Sequence, residues 1–388
     1  MDPEIEPTPP ALEPPSIINT SYSMGIGFPG EAPQKQYRGL KWLFVGPEGL
    51  RAGWSVLIFL ALTYLLLNGF GFLFLKLHLI ARGNSFTPRH QLFSELFQVL
   101  ALLAAAAIMA VIERRRILDY NLRGVRRLTH FFSGFAAGFA ALSALVGSLA
   151  WGHWLRFGPV ALSGSEILKF AAIWGAVFLL VGCFEEGTMR CYLQYTLTRG
   201  VNFWWASGVI ACLCALLILG QKGNGAWGVY TIALLGVVPC LLLQMKRAPS
   251  TGFWNAAWLT STLFGAMHTG NNGENWIGIF AAAFIGFVFC VSIWVTGSAW
   301  WAIGCHAAWD WAETYFYGTA DSGFVAPGHL LSTAPSGNPL WSGGADGPEG
   351  SLLIIPIVLL LLAWLLIVYR HSKPAEFSST PATEQLAS

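Results

Sequence analysis

The sequence predicts an all-α, polytopic transmembrane helical bundle of about ten spans, with the N- and C-termini cytoplasmic. Two observations carry that reading. Over 388 residues, apolar side chains make up 55% and charged ones only 11%, with a mean hydropathy of +0.55. An ordinary globular chain carries about 25% charged residues, and lipid is the solvent that accepts so few. The second observation is a series of long apolar runs, several near the roughly 20 residues that a helix needs to cross a bilayer. Backbone groups in lipid are satisfied only in helices or closed barrels, and these runs are too long for barrel strands. A soluble enzyme, a disordered chain and a nucleic-acid binder are poor fits. A formal net charge of +2 suggests no polyanionic partner.

Taken in chain order, residues 1–50 are rich in Pro, Glu and Ser and lack an apolar core, which excludes a signal peptide and predicts a disordered or loosely ordered cytoplasmic tail. The N-terminal transmembrane part, 51–165, holds spans at about 53–80, 92–112 and 130–152. The next part, 166–316, holds spans at about 166–198, 203–219, 226–244, 252–269, 276–296 and 298–316. An outer loop follows at 317–350, then a last span at 351–369 and a cytoplasmic tail at 370–388. With the N-terminus inside, fifteen Lys and Arg fall on the inner side and six on the outer side, with Arg190 left within the membrane. The loop 317–350 has neither Lys nor Arg, as an outer loop should. The seven cysteines lie in or beside apolar runs with no C-x-x-C pair, so they read as small buried hydrophobes.

An ionisable group deep in a span costs about 2.5–3.5 kcal/mol even on lenient scales, so each one needs a reason. Glu185, Glu186 and Arg190 lie in "VGCFEEGTMRCYLQY", His268 ends "STLFGAMH", and His306 and Asp310 lie in "WAIGCHAAWDWAETY", with Glu313 a turn further on. Glu186 and Arg190 share a helical face at i,i+4, which suits a salt bridge. Glu185 points about 100° away, free to face a cavity. His306 and Asp310 are likewise four apart. Measured from the cytoplasmic ends of their helices, Glu185 lies ~20 Å deep, His268 ~24 Å, and His306 and Asp310 ~12 and ~18 Å. The expectation is one polar cavity near mid-membrane that opens toward the cytoplasm.

A carboxylate and an imidazole that share a water can deprotonate it. A second imidazole and a polar side chain can hold the oxyanion of a tetrahedral intermediate. Those parts suit hydrolysis of a peptide bond within the membrane. Two His and a Glu also match a catalytic zinc site. Since H-E-x-x-H is absent, any divalent metal such as zinc would take Glu185, His268 and His306 from three separate helices. No organic cofactor is implied. The rival readings are structural ion pairs with a satisfied core histidine, a transporter that uses the buried charges for ion or proton coupling, and a catalytically inactive scaffold of the same fold. Glu95 and His90 read as residues of a span end, where headgroups or solvent explain them.

The order Glu-Glu-x-x-x-Arg (Glu185, Glu186, Arg190), Phe-x-x-x-His (Phe264, His268) and His-x-x-x-Asp (His306, Asp310) resembles the CAAX protease and bacteriocin-processing family. This group of intramembrane proteases includes the type II CAAX prenyl endopeptidases. The flanking text "RCYLQYTLTRG", "HTGNNGENWIG" and "HAAWDW" is similar too, and the likeness runs from Ala171 to Tyr315. The resemblance implies that Glu185 activates water together with His268. His306 and Asp310 would orient that water or hold the oxyanion. Glu186 and Arg190 would form a supporting pair, with Arg190 reaching substrate in one version. It further implies a membrane-bound or prenylated peptide substrate, membrane lipids as surroundings, no nucleic-acid partner, and a place in a bacterial cell (inner) membrane. The chain departs from the pattern twice. Asp310 stands where Asn is usual, and a carboxylate donates no hydrogen bond unless protonated. An insertion at about 203–250 supplies two extra spans, an even number that leaves His268 on its original side.

Overall fold

The computed structural model describes residues 40–46, 49–81, 86–201, 203–220, 241–242, 245, 250–271 and 273–372. The described chain is mostly helical, with no barrel. The helices are α1 (Ala52–Lys76), α2 (Pro88–Glu113), α3 (Arg127–Trp151), α4 (Ser165–Glu186), α5 (Phe203–Gly220), α6 (Thr251–Met267), α7 (Trp276–Thr296), α8 (Trp300–Trp311) and α9 (Ile354–Val368). They match nine of the expected runs. The tenth, 226–244, lies outside the described residues apart from 241–242, as do residues 373–388 and, of the expected tail 1–50, residues 1–39 and 47–48; the described end of that tail holds a short helix, Leu40–Phe44. Five are long and apolar enough to cross a membrane: α1, α2, α3, α7, and α4 with its continuation to Thr198.

Local chemistry sets several of the ends. Pro88 opens α2, where its missing N–H costs nothing, and Arg114 closes it in a left-handed turn at φ 55°. The Asn275 side chain accepts the N–H groups of Ile277 and Gly278 to cap α7, and Gly297 closes that helix at φ 76°. Two helices depart from α geometry next to the motif residues. After Glu186, α4 passes into a π-helical segment, Gly187–Leu193, before Gln194–Thr198 resumes the α form. After Trp311, α8 passes into a second, Ala312–Tyr317. Such insertions are rare and concentrate at functional sites.

The tightest crossing joins α3 to α8. A Cβ on Gly134 would meet the Trp301 carbonyl, and one on Gly138 the Cys305 carbonyl. Gly304 of α8 faces the Phe131 carbonyl in the same way. Gly134-x-x-x-Gly138 therefore brings two backbones together, as small residues do in lipid, where packing replaces the hydrophobic drive between helices. Leu142, Leu145, Val146 and Leu149 of α3 extend this seam against Trp301 and against Ile354, Val358 and Leu361 of α9. A second core gathers Phe59, Met109, Tyr192, Phe253 and Phe264 from α1, α2, the continuation of α4, and α6.

The connections sort to opposite ends. At one end β1 (Leu155–Val160) pairs antiparallel with β2 (Leu331–Pro335), a ribbon that the apolar pattern did not foretell. Phe86 stacks there on Phe324 at 5.3 Å between centroids, and Asn271 Nδ2 donates to Ser322 Oγ at 3.1 Å. At the other end the Ala299 N–H donates to the Asn121 carbonyl at 2.8 Å, and Trp300 Nε1 donates to the Leu122 carbonyl at 3.0 Å. The arginine-rich stretch 114–127 and the loop 317–353 thus lie at opposite ends of the bundle.

Since α8 carries two motif residues, its seat against α3 should govern the site. Gly138→Val should cost about 1–3 kcal/mol by overpacking, read as a lower melting temperature in detergent. Gly147→Val on the same helix, whose Cβ meets nothing within 4 Å, should leave that temperature unchanged.

Candidate active site

Glu186 is the hub. Its side chain is 0% exposed and lies between two partners, Arg190 Nε at 3.2 Å from Oε2 and His306 Nδ1 at 2.9 Å from Oε1. A carboxylate oxygen at this distance accepts, and His306 Nδ1 is the donor to it. Arg190 is 0% exposed as well. Its guanidinium lies over the rings of Phe264 (4.4 Å) and Phe289 (5.5 Å), a cation–π contact in a desolvated place. Space for it exists because residue 286 of α7 is glycine: a Cβ there would meet Arg190 Nη2. Asn121 Nδ2 donates to the Arg190 carbonyl at 2.8 Å.

Above this hub lies a cavity of about 570 Å³ lined by Glu185, His268, His306 and Asp310. Glu185 turns away from its neighbour as the helical geometry expected: its side chain is 34% exposed, and Oε2 stands 3.8 Å from His306 Nε2. Asp310 Oδ2 approaches the same Nε2 at 3.4 Å. His268 follows the last turn of α6, with Nδ1 2.8 Å from the Phe264 carbonyl. A carbonyl only accepts, so Nδ1 is the donor and Nε2 is the ring nitrogen left for the cavity. Phe264 packs between the imidazoles, its centroid 4.8 Å from His268 and 6.1 Å from His306. All six residues singled out in the sequence therefore belong to one assembly, with four on the cavity and two beneath it.

Two expectations need correction. Phe86, His90, Asn271, Asp321, Ser322, Phe324 and Glu349 also line the cavity, so it opens at the end that carries the 317–353 loop, opposite the arginine-rich stretch. A cytoplasmic mouth and a cytoplasmic arginine-rich end are incompatible. Arg190, with no exposure, has no surface for a substrate to touch. The sequence reading also missed Glu95, which lines the cavity instead of a headgroup region. It lies about a turn and a half after His90 near the start of α2, a position that does not by itself reveal the wall it faces.

A metal finds no ready ligand set. Among the described residues, no three of His, Cys, Asp and Glu are grouped to hold one. His306 Nδ1 faces Glu186 and His268 Nδ1 faces its own helix, so only their Nε2 atoms are left toward the cavity. The trio Glu185, His268 and His306 shares a cavity without the arrangement of a metal site.

Outside the cavity lining, Glu274 and Asp346 face each other across the start of α7. Burial, and then the Asp346 charge, lift Glu274 above the usual carboxyl range, and burial lifts Asp346. Asn271 Nδ2 donates to Glu274 Oε2 at 3.3 Å, and Asn275 Nδ2 to Asp346 Oδ2 at 3.4 Å. The folded pair thus retains a proton that the unfolded chain releases near ordinary carboxyl values.

Residues 167–248 and 240–312 match the family model described as type II CAAX prenyl endopeptidase Rce1-like. The resemblance read from the three motifs thus holds over the segment that contains them. No curated protein and no solved structure matched the chain.

Arg190→Met strands a buried carboxylate and should cost about 3–5 kcal/mol in stability, read by thermal unfolding in detergent. The double variant Glu186→Gln/Arg190→Met should recover much of that loss. For Glu274 and Asp346 both folded values are raised, so their contribution is present at acid pH and is lost as pH rises through the raised range. Amide exchange near 273–276 and 343–350, corrected for intrinsic rates, should therefore be faster at alkaline than at mildly acid pH. Glu274→Gln should flatten that dependence.

Proposed function

From a chain whose residues 167–312 resemble the Rce1-like type II CAAX prenyl endopeptidases, a protease family, we infer an intramembrane endopeptidase that hydrolyses a peptide bond of a membrane-associated or hydrophobic substrate. A single observation carries the reading. Glu185, His268, His306 and Asp310, drawn from two helices and the end of a third, line the same cavity, while the buried Glu186–Arg190 pair props His306 from below.

The proposed chemistry uses these side chains alone. Glu185, half-exposed to the cavity, takes a proton from a water that also donates to His268 Nε2. That water attacks the scissile carbonyl carbon, and the developing oxyanion is met by an N–H of His306. Collapse breaks the C–N bond, and Glu185 returns its proton to the leaving amine. With Nδ1 pledged to Glu186, His306 can offer only Nε2, and Asp310 Oδ2 at 3.4 Å favours a proton on that atom. Asp310 in place of Asn thus acts through His306 and does not itself contact the oxyanion. The prenylated CAAX form of the substrate belongs to the family's description and comes to this chain as part of the same proposal.

The proposed topology keeps about ten spans and, by the excess of Lys and Arg, the arginine-rich end in the cytoplasm, in a bacterial cell membrane. The cavity mouth then faces the opposite compartment. The transporter and inactive-scaffold readings gain no specific support from the cavity.

Glu185→Ala should lower cleavage of a membrane-inserted reporter peptide by about 10²–10⁴-fold, with melting temperature and membrane insertion unchanged. Full activity in that variant would refute the mechanism.

A further inference from the structure

The arginine-rich end of the bundle holds a cluster that the cavity chemistry leaves unused. Arg115 lies just past the end of α2, and Arg199 directly follows Thr198, where the continuation of α4 ends. Both reach the same side chain. Arg115 Nη1 donates to Tyr195 Oη at 2.9 Å, and Arg199 Nη1 donates to it at 3.0 Å. The two guanidinium carbons lie 5.7 and 5.5 Å from the Tyr195 ring centroid. Two full charges thus gather at one neutral oxygen, though like charges this close repel. Because the oxygen accepts both bonds, its own hydrogen remains for a further acceptor, and a guanidinium has only donors to offer. The remaining capacity of the cluster is therefore all donor.

The carboxylates beside it already have partners. Glu113 accepts the hydroxyls of Tyr120 and Tyr192, one on each oxygen at 2.9 Å. Asp119 pairs with Arg123 at 2.6 Å and accepts the Arg116 N–H at 3.0 Å. Across 114–127 the chain has six arginines and one carboxylate, Asp119, and Arg114, Arg116, Arg123 and Arg126 are exposed. Among them stand exposed apolar side chains: Val111 and Ile112 in the last turn of α2, then Leu118, Val125 and Leu128. Both α2 and α4 with its continuation are long and apolar enough to span a bilayer, so the ends that carry this cluster come to the headgroup level. A soluble anion or a nucleic acid would leave the apolar residues in water. A lipid satisfies both sets, with its phosphate on the donors and its acyl chains on the apolar rim.

We propose that Arg115, Tyr195 and Arg199, ringed by the exposed arginines of 114–127, seat the phosphate of an anionic phospholipid whose acyl chains lie along Val111 and Ile112. A zwitterionic lipid carries its own cation beside the phosphate and gains less from the seat. The seat is at the opposite end of the bundle from the cavity mouth, and its occupancy depends on no chemistry there.

The test uses purified full-length protein in detergent, mixed with equal amounts of phosphatidylglycerol and phosphatidylcholine of matched acyl chains. Native mass spectrometry then counts the first lipid retained. Phosphatidylglycerol should outnumber phosphatidylcholine by about tenfold. Arg115→Gln with Arg199→Gln should bring the two lipids to within about threefold of each other. Arg156→Gln with Lys169→Gln removes the same charge at the other end of the bundle and should leave the full preference. Arg199→Gln alone, at an exposed position, should lower the ratio too, and it serves if the double variant does not fold. Inorganic phosphate at millimolar concentration, added before the lipids, should leave the ratio as it was. Equal retention of the two lipids by the unaltered protein would overturn the proposal without any variant having to fold. An undiminished preference in the folded Arg115 and Arg199 variants would place the lipid elsewhere and overturn it as well. Loss of the preference on adding phosphate would mean that the seat takes the free anion, and the lipid assignment would fall.

Discussion

A carboxylate with no solvent exposure, set in an apolar helix bundle, survives only if its charge is met, and Glu186 is that carboxylate. Leaving such a charge unpaired costs several kcal/mol, so its partners must be held to it. Arg190 meets one oxygen from the next turn of the same helix, and His306 meets the other from α8. Those two requirements spread outward. Arg190 needs a flat, desolvated bed, which Phe264 of α6 and Phe289 of α7 form, and it needs the space left by Gly286. His306 needs α8 at a fixed height, which the glycine contacts with α3 maintain. One buried charge thereby ties α3, α4, α6, α7 and α8 into a common geometry. The cavity that holds Glu185 and His268 is the space this geometry leaves open.

The same logic explains the two departures from α geometry. A π-helical segment widens the turn and re-aims the side chains that follow. One begins directly after Glu186 and contains Arg190, and the other begins two residues after Asp310. Both lie where a polar group must point at a partner on another helix, while the surrounding turns keep their apolar faces against neighbours. The chain bends its regular structure at the places where charge must be satisfied.

Much of this was legible in the sequence. Alternating apolar runs predict the helices, and the spacing of Glu186 and Arg190 predicts their pairing. The offset of Glu185 from Glu186 by about 100° predicts that one faces the cavity and the other the interior. Other features were legible and passed over, above all Gly134-x-x-x-Gly138, a pattern with a clear packing meaning in lipid. What remained out of reach was set by tertiary contact. Nothing local to Glu95 tells that α2 forms the wall opposite Glu185. Nothing in the 317–350 segment alone tells that it folds over the mouth, pairs β2 with β1 and delivers Asp321 and Glu349 to the cavity. The end of the bundle at which the cavity opens depends on those contacts, and depth along single helices carries no information about it.

Glu186 and His306 act as one unit rather than as two independent buried polar groups. A double-mutant cycle on thermal stability in detergent, with Glu186→Gln, His306→Gln and the pair, tests it most directly. Residues in one buried network couple by about 0.5–3 kcal/mol, and the geometry at 2.9 Å predicts a value in the upper half of that range. Additive single losses, with no coupling between the two positions, would contradict it.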